Sequence, residues 1–212
     1  MSPICIVDYG VGNIHSAMKA LRKFHADVVL TADPKILASA SALVLPGVGA
    51  FAAGMEGLRE RKLVETIRTF GATGKPMLGI CLGAQLLLSK GYEYGECEGL
   101  GLIEGTVEHF PPLHEEWKVP NIGWSHISPP KGKSWDGTIL QNLPKDPMAY
   151  FVHSFIMKPK LTDQVLAQTE YGGCAFASVI RRGNVFGCQF HPEKSAHAGL
   201  KIIGNFVKIS LQ

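Results

Sequence analysis

Pro76-Met77-Leu78-Gly79-Ile80-Cys81-Leu82-Gly83-Ala84-Gln85-Leu86-Leu87-Leu88 reads as a short apolar strand that runs into a cysteine and then into helix-forming residues. The pattern is G-x-nucleophile-x-G, the signature of a strand–elbow–helix turn. Small neighbours allow a sharp turn, and the turn pushes the sulfur out at the carboxyl end of the strand. The helix then begins at the nucleophile, so its free N–H groups and positive end favour a thiolate and any oxyanion beside it. A buried structural cysteine followed by an ordinary helix fits the same residues, since free cysteine is among the most buried residue types. The choice rests on whether a base and an orienting acid stand elsewhere in the chain.

Toward the amino terminus the chain alternates between strand and helix. Ile4-Cys5-Ile6-Val7 ends in Asp8-Tyr9-Gly10-Val11-Gly12-Asn13, and Ile14, Ala17, Met18, Leu21 and Phe24 follow at helical spacing. These glycines do not complete a dinucleotide fingerprint and are assigned to a tight turn, with Asn13 as helix N-cap. Val28-Val29-Leu30 is the next strand, and Asp33-Pro34 opens a short helix. Ala42-Leu43-Val44-Leu45 is too apolar to be half-exposed, as a parallel strand covered on both faces would be. It ends in Pro46-Gly47-Val48-Gly49-Ala50-Phe51, whose glycines let the backbone turn N–H groups into a crevice, although a plain strand–helix turn fits too. Leu58, Leu63, Val64, Ile67 and Phe70 supply the following helical face. The expected fold class is therefore α/β, with a mainly parallel central sheet flanked by helices and a site at the strands' carboxyl ends.

Beyond Gln85 the character changes. Residues 91–118 are rich in Gly, Glu and Pro, with strands expected at Leu100–Ile103 and Thr106–Phe110. Short strands follow at Met148–Ile156, Gln164–Thr169, Ala175–Ile180 and Asn184–Phe190, an added antiparallel region in the carboxyl-terminal half. Arg181-Arg182-Gly183-Asn184 is a hairpin turn signal, and a last helix is expected from about Ala198. With no repeat, low-complexity tract or linker, 1–212 is expected to be a single domain.

The totals exclude several classes. An apolar fraction of 46% with 18% charged residues suits a globular chain with a sizeable core. A formal charge of +3, from 21 basic and 18 acidic residues without a basic block, carries no nucleic-acid or membrane-surface signal. No run approaches the ~18 apolar residues of a membrane span, and Met1-Ser2-Pro3-Ile4-Cys5-Ile6-Val7-Asp8 does not read as a signal peptide. Five cysteines without close pairing indicate reduced thiols in a cytoplasm-like compartment. No His, Cys, Asp and Glu set has metal-ligand spacing, and no cofactor is expected.

The strand Asn184-Val185-Phe186-Gly187-Cys188-Gln189-Phe190 delivers His191-Pro192-Glu193. Proline holds the segment extended, so His191 and Glu193 can face a common point. A histidine held by a carboxylate is what a cysteine nucleophile needs as base and then acid. Taken alone, a His-Pro-Glu at a strand end also fits a surface turn. His153, in the apolar run Tyr150-Phe151-Val152-His153-Ser154, reads as a satisfied core histidine.

Gly79-Ile80-Cys81-Leu82-Gly83-Ala84-Gln85 together with Gln189-Phe190-His191-Pro192-Glu193 resembles the class I, or triad, glutamine amidotransferases. Asp8–Asn13, Leu45–Phe51, Ile122-Gly123-Trp124, Tyr150–Ser154 and His191–Ser195 narrow the likeness to the HisH type of glutaminase subunit of imidazole glycerol phosphate synthase. The resemblance covers essentially the whole chain. It implies Cys81, His191 and Glu193 as the catalytic triad; Val48, Gly49 and Leu82 as oxyanion donors; and Gly47, Gln85 and Glu93 as contacts for L-glutamine. It further implies a partner, a HisF-like (β/α)₈ synthase subunit receiving ammonia, with Asn13, Trp124, Tyr150 and Lys194 at the interface. Ala84 and Ser125 depart from the family's usual Met and Asn, and His126–Asp146 matches the histidine-pathway pattern poorly. A HisH-like glutaminase serving sugar amidation and a catalytically silent module on the same fold remain as alternatives.

Overall fold

The computed structural model describes residues 2–212. Its first half alternates as expected, except that the one helix expected to carry Leu58 through Phe70 is two: β1 (Ile4–Val7), α1 (Ile14–Arg22), β2 (Val28–Thr31), α2 (Pro34–Ser39), β3 (Ala42–Gly47), α3 (Phe51–Glu60), α4 (Val64–Ala72), β4 (Met77–Cys81) and α5 (Leu82–Leu86). β1 pairs in parallel with β2 and β3, and β4 in parallel with β3. Alternate residues of β1 feed two separate cores, as a period of two requires. Ile4 and Ile6 pack with Ala17 and Leu21 of α1 on one face, while Cys5 and Val7 pack with Leu37, Met55, Leu58 and Ile67 on the other. The Asp33 side chain caps α2 by accepting from the Lys35 N–H at 2.8 Å. Asn13 stands at the N-cap of α1, but its side chain makes no capping bond.

The remaining strands are β5 (Lys90–Gly91), β6 (Cys97–Glu98), β7 (Gly105–His109), β8 (Asn121–His126), β9 (Met148–His153), β10 (Phe155–Pro159), β11 (Val165–Tyr171), β12 (Cys174–Arg182) and β13 (Val185–Cys188), followed by α6 (Ala196–Ser210). The strand path is β2-β1-β3-β4-β13-β12-β10-β7-β5-β6, with β11 also paired to β12. β13 is parallel to β4 with Cys188 opposite Ile80, while β12 and β10 run antiparallel to their neighbours. The parallel half is therefore extended by an antiparallel half, and β13 ends beside the cysteine elbow.

Two of the expected strands also fail locally. Leu100–Ile103 is not a strand, because its amides are taken by the end of α5. Leu100 N–H donates to the Leu86 carbonyl at 2.8 Å and Ile103 N–H to the Leu87 carbonyl at 3.0 Å. The run Met148–Ile156 is broken at Ser154 into β9 and β10, which join different sheets. β9 pairs instead with β8, a strand the sequence did not reveal, to form a separate two-stranded ribbon.

Candidate active site

The elbow is built by close approach. Cys81 adopts φ +52 and ψ −111, a conformation that is costly for a residue with a side chain. A methyl group on Gly83 would overlap the Leu45 carbonyl oxygen, and one on Gly79 would meet the backbone of Ala84 at 2.7 Å. Both glycines let α5 fold back onto β3 and β4, and that fold holds the cysteine in its strained angle.

A cleft of about 390 Å³ opens above the elbow, and Val48, Gly49, Cys81, Leu82, Gln85, Glu93, His153 and His191 all line it. Gly47 lies buried beneath, where a Cβ would strike the Tyr9 hydroxyl, and that hydroxyl donates to the Pro46 carbonyl at 2.6 Å. Tyr9 thus props the loop that carries Val48 and Gly49. Glu93 closes the rim by accepting from the Phe51 N–H at 2.8 Å.

β13 brings His191 into the cleft that Cys81 also lines, and the Cys81 thiol donates to the Val152 carbonyl at 3.8 Å. The His191 Nδ1–H donates to Glu193 Oε1 at 2.9 Å, with side chains only 3% and 2% exposed. Burial alone pulls the imidazole toward its neutral form, but the neighbouring Cys81 and the bonded Glu193 carboxylate outweigh it and push His191 up to about 9. A thiol and an imidazole therefore share one cleft, and a buried carboxylate is bonded to the imidazole Nδ1–H. Such an arrangement can attack an electron-poor carbonyl and pass a proton to the leaving group.

His153 was read from the sequence as a core residue and is buried, yet it also lines the cleft. The Phe155 carbonyl can only accept, so Nδ1 carries the hydrogen at 2.9 Å, and Nε2 accepts from the Asn121 amide at 3.3 Å. Burial, reinforced by the charge of His191 against the Phe155 bond, pushes it down to about 4. Ser195 is a second residue the sequence left unassigned. Its hydroxyl donates to the His191 carbonyl at 2.6 Å and accepts from the Tyr150 N–H at 2.9 Å, while His191 N–H donates to the Tyr150 carbonyl at 3.0 Å. The β8–β9 ribbon is tied by these three bonds to the segment that holds the imidazole.

The residues expected at a partner interface cluster less tightly. Trp124 and Tyr150 are register partners on the ribbon with ring centroids 5.9 Å apart, and Trp124 is 48% exposed. Lys194 is exposed and Asn13 partly so. No group of His, Cys, Asp and Glu among the described residues could hold a metal ion, and all five cysteines are free. No described helix is long and apolar enough to cross a membrane.

Residues 5–209 match the family model described as glutamine amidotransferase class-I. Over 99% of its length the chain is 48% identical to imidazole glycerol phosphate synthase subunit HisH 1 of Legionella pneumophila (strain Lens), all of which is covered. It is 45% identical to the HisH subunit of Salinibacter ruber, covering 96% of this chain and 93% of that one. Among solved structures, a glutamine amidotransferase superposes with TM-score 0.73 at 19% identity, covering 98% of this chain and 99% of its own. PurLQS from Thermotoga maritima gives 0.70 at 21% identity, with 98% and 99% covered. At those identities the superpositions establish the fold.

Proposed function

This chain belongs to the class I glutamine amidotransferase family, within the group of HisH subunits, and from that premise we propose that it is the glutaminase of an imidazole glycerol phosphate synthase. The observation that carries the reading is the cleft shared by Cys81 and His191, with Glu193 bonded to the imidazole Nδ1–H at 2.9 Å. Cys81 Sγ attacks the side-chain amide carbon of L-glutamine, and the oxyanion is received by the amides of Val48, Gly49 and Leu82. Each such donor contributes ~10²–10³ in rate. The C–N bond breaks as His191 gives a proton to the departing ammonia, leaving a γ-glutamyl thioester. A water molecule then attacks the thioester carbon and gives its proton to His191, which passes it to the departing sulfur, so glutamate leaves with the thiol restored. Glu193 holds the imidazole in orientation and stabilises its charged form throughout. Gln85 and Glu93 flank the amino-acid end of the substrate, and Gly47 supports the loop beneath it.

The whole chain, 1–212, serves as one glutaminase unit in a cytoplasmic heterodimer, and the ammonia passes to a HisF-like (β/α)₈ cyclase. The exposed apolar side chains of the β8–β9 ribbon, Ile122 at 61% and Trp124 at 48%, support that face as the docking surface, with Asn13, Tyr150 and Lys194 beside it. The names of the relatives favour histidine biosynthesis over sugar amidation. A glutamine-analogue electrophile should label Cys81, and Cys81→Ala should abolish ammonia release. Labelling confined to another cysteine sinks the mechanism. Ammonia release should rise when the cyclase and its acceptor are added, and full activity in the isolated chain would refute the coupled subunit.

A further inference from the structure

The sequence joins Gln189 to the His-Pro-Glu segment and gives it no task. In the fold it lies at the end of β13, completely buried, with its backbone N–H donating to the Ser178 carbonyl at 2.9 Å. Its side-chain Oε1 accepts one bond, from Gln85 Nε2 at 3.2 Å, while its own Nε2 is enclosed without a partner among the described residues. A buried amide N–H₂ without a partner is destabilising. An apolar residue of similar size would avoid that cost, so packing alone does not account for glutamine here.

Gln85 explains it. Its Nε2 donates to the Phe155 carbonyl at 3.1 Å and to Gln189 Oε1. A main-chain carbonyl only accepts, so the Gln85 amide cannot be reversed, and both of its N–H groups are spent on the protein. Its Oε1, without a partner among the described residues and not enclosed, is left toward the cleft that Gln85 lines. We propose that Gln189 is a positioning residue that fixes the Gln85 amide with its oxygen presented to the substrate, where it selects the α-ammonium group of glutamine. The inference rests on the glutaminase reading and names the group that makes Gln85 an acceptor.

The test compares glutamine with glutaramate, which lacks the α-amino group, as substrates of the chain paired with a HisF-type cyclase. Gln189→Leu should raise KM for glutamine about three- to tenfold with kcat held within about twofold, the worth of one neutral hydrogen bond. The preference for glutamine over glutaramate should shrink by the same factor, and the KM effect should vanish in a Gln85→Ala background. The melting temperature should not fall; should Gln189→Leu not fold, Gln189→Met, an unbranched near-isostere, carries the same test. An unchanged KM, an equal loss on both substrates, or a full effect without Gln85 would overturn the assignment. If the unmodified pair releases no ammonia from glutamine, the glutaminase reading itself falls, and the assignment with it.

Discussion

Two histidines in one cleft are shifted in opposite directions, so the stability of the fold should depend on pH with two limbs. His191 moves from an ordinary 6.5 to about 9, so the folded chain holds that proton more tightly than the unfolded one. Its contribution is fully present below pH 6.5 and is lost as pH rises through 9. At 1.36 kcal/mol per pH unit the gap corresponds to about 3 kcal/mol. His153 moves from 6.5 to about 4, so the folded chain resists protonation and the unfolded chain takes the proton first. Its contribution is present above pH 6.5 and is lost as pH falls toward 4, again by about 3 kcal/mol. Stability should therefore peak near pH 6.5. Urea unfolding at half-unit steps from pH 4.5 to 9.5, read at constant denaturant slope, measures both limbs. Glu193→Gln removes the buried carboxylate and should shrink the alkaline limb alone, whereas His153→Gln should flatten the acid limb alone. Stability flat to within about 1 kcal/mol between pH 6.5 and 9, or an alkaline limb unchanged in Glu193→Gln, would refute the account of His191.

Three further outcomes follow from contacts in and around the cleft. His191→Ala leaves the Glu193 carboxylate buried without its counter-charge, and since Oε2 already lacks a partner the loss should reach about 3–5 kcal/mol in urea unfolding. His191→Ala with Glu193→Gln should recover most of it. Gly83→Ala should fail to give soluble folded protein, because the new methyl overlaps the Leu45 carbonyl oxygen, whereas Gly132→Ala, with open space around it and φ +78, should cost only about 1–2 kcal/mol by calorimetry. Ser195→Ala removes the hydroxyl between Tyr150 and His191; it should cost roughly 1–3 kcal/mol and speed hydrogen exchange at the Tyr150 amide.

The elbow and its partners were legible in the sequence because each is local chemistry. The Gly-x-Cys-x-Gly spacing marks a close approach, and the proline of His191-Pro192-Glu193 marks an extended segment. The parallel strands were equally plain, since β1, β3 and β4 are buried on both faces and so carry unbroken apolar runs. What stayed hidden depends on distant pairing. Ser154 gives no local signal that one apolar run must divide between two sheets. β8 reads as loop because its pairing with β9 leaves Ile122 and Trp124 exposed. Leu100–Ile103 has the residues of a strand, but its amides find the end of α5 first. His153 has the pattern of a core residue and is one; only the fold shows that its ring also faces the cleft.

Several local costs of this chain gather at the same place. Cys81 sits at φ +52, Glu193 Oε2 and Gln189 Nε2 are enclosed without partners among the described residues, and His153 is held neutral beside a charged His191. Each would be relieved by a simple substitution: glycine at the elbow, or apolar groups at the buried polar sites. A fold selected for stability alone would place such features at random, because each is unfavourable wherever it stands. Here they surround one sulfur. The strained angle turns the sulfur outward, the unshared carboxylate gives its full charge to one imidazole, and the amide of Gln85 spends both hydrogens so that its oxygen stays free. Two apolar cores, one on each face of the sheet, hold this arrangement in place.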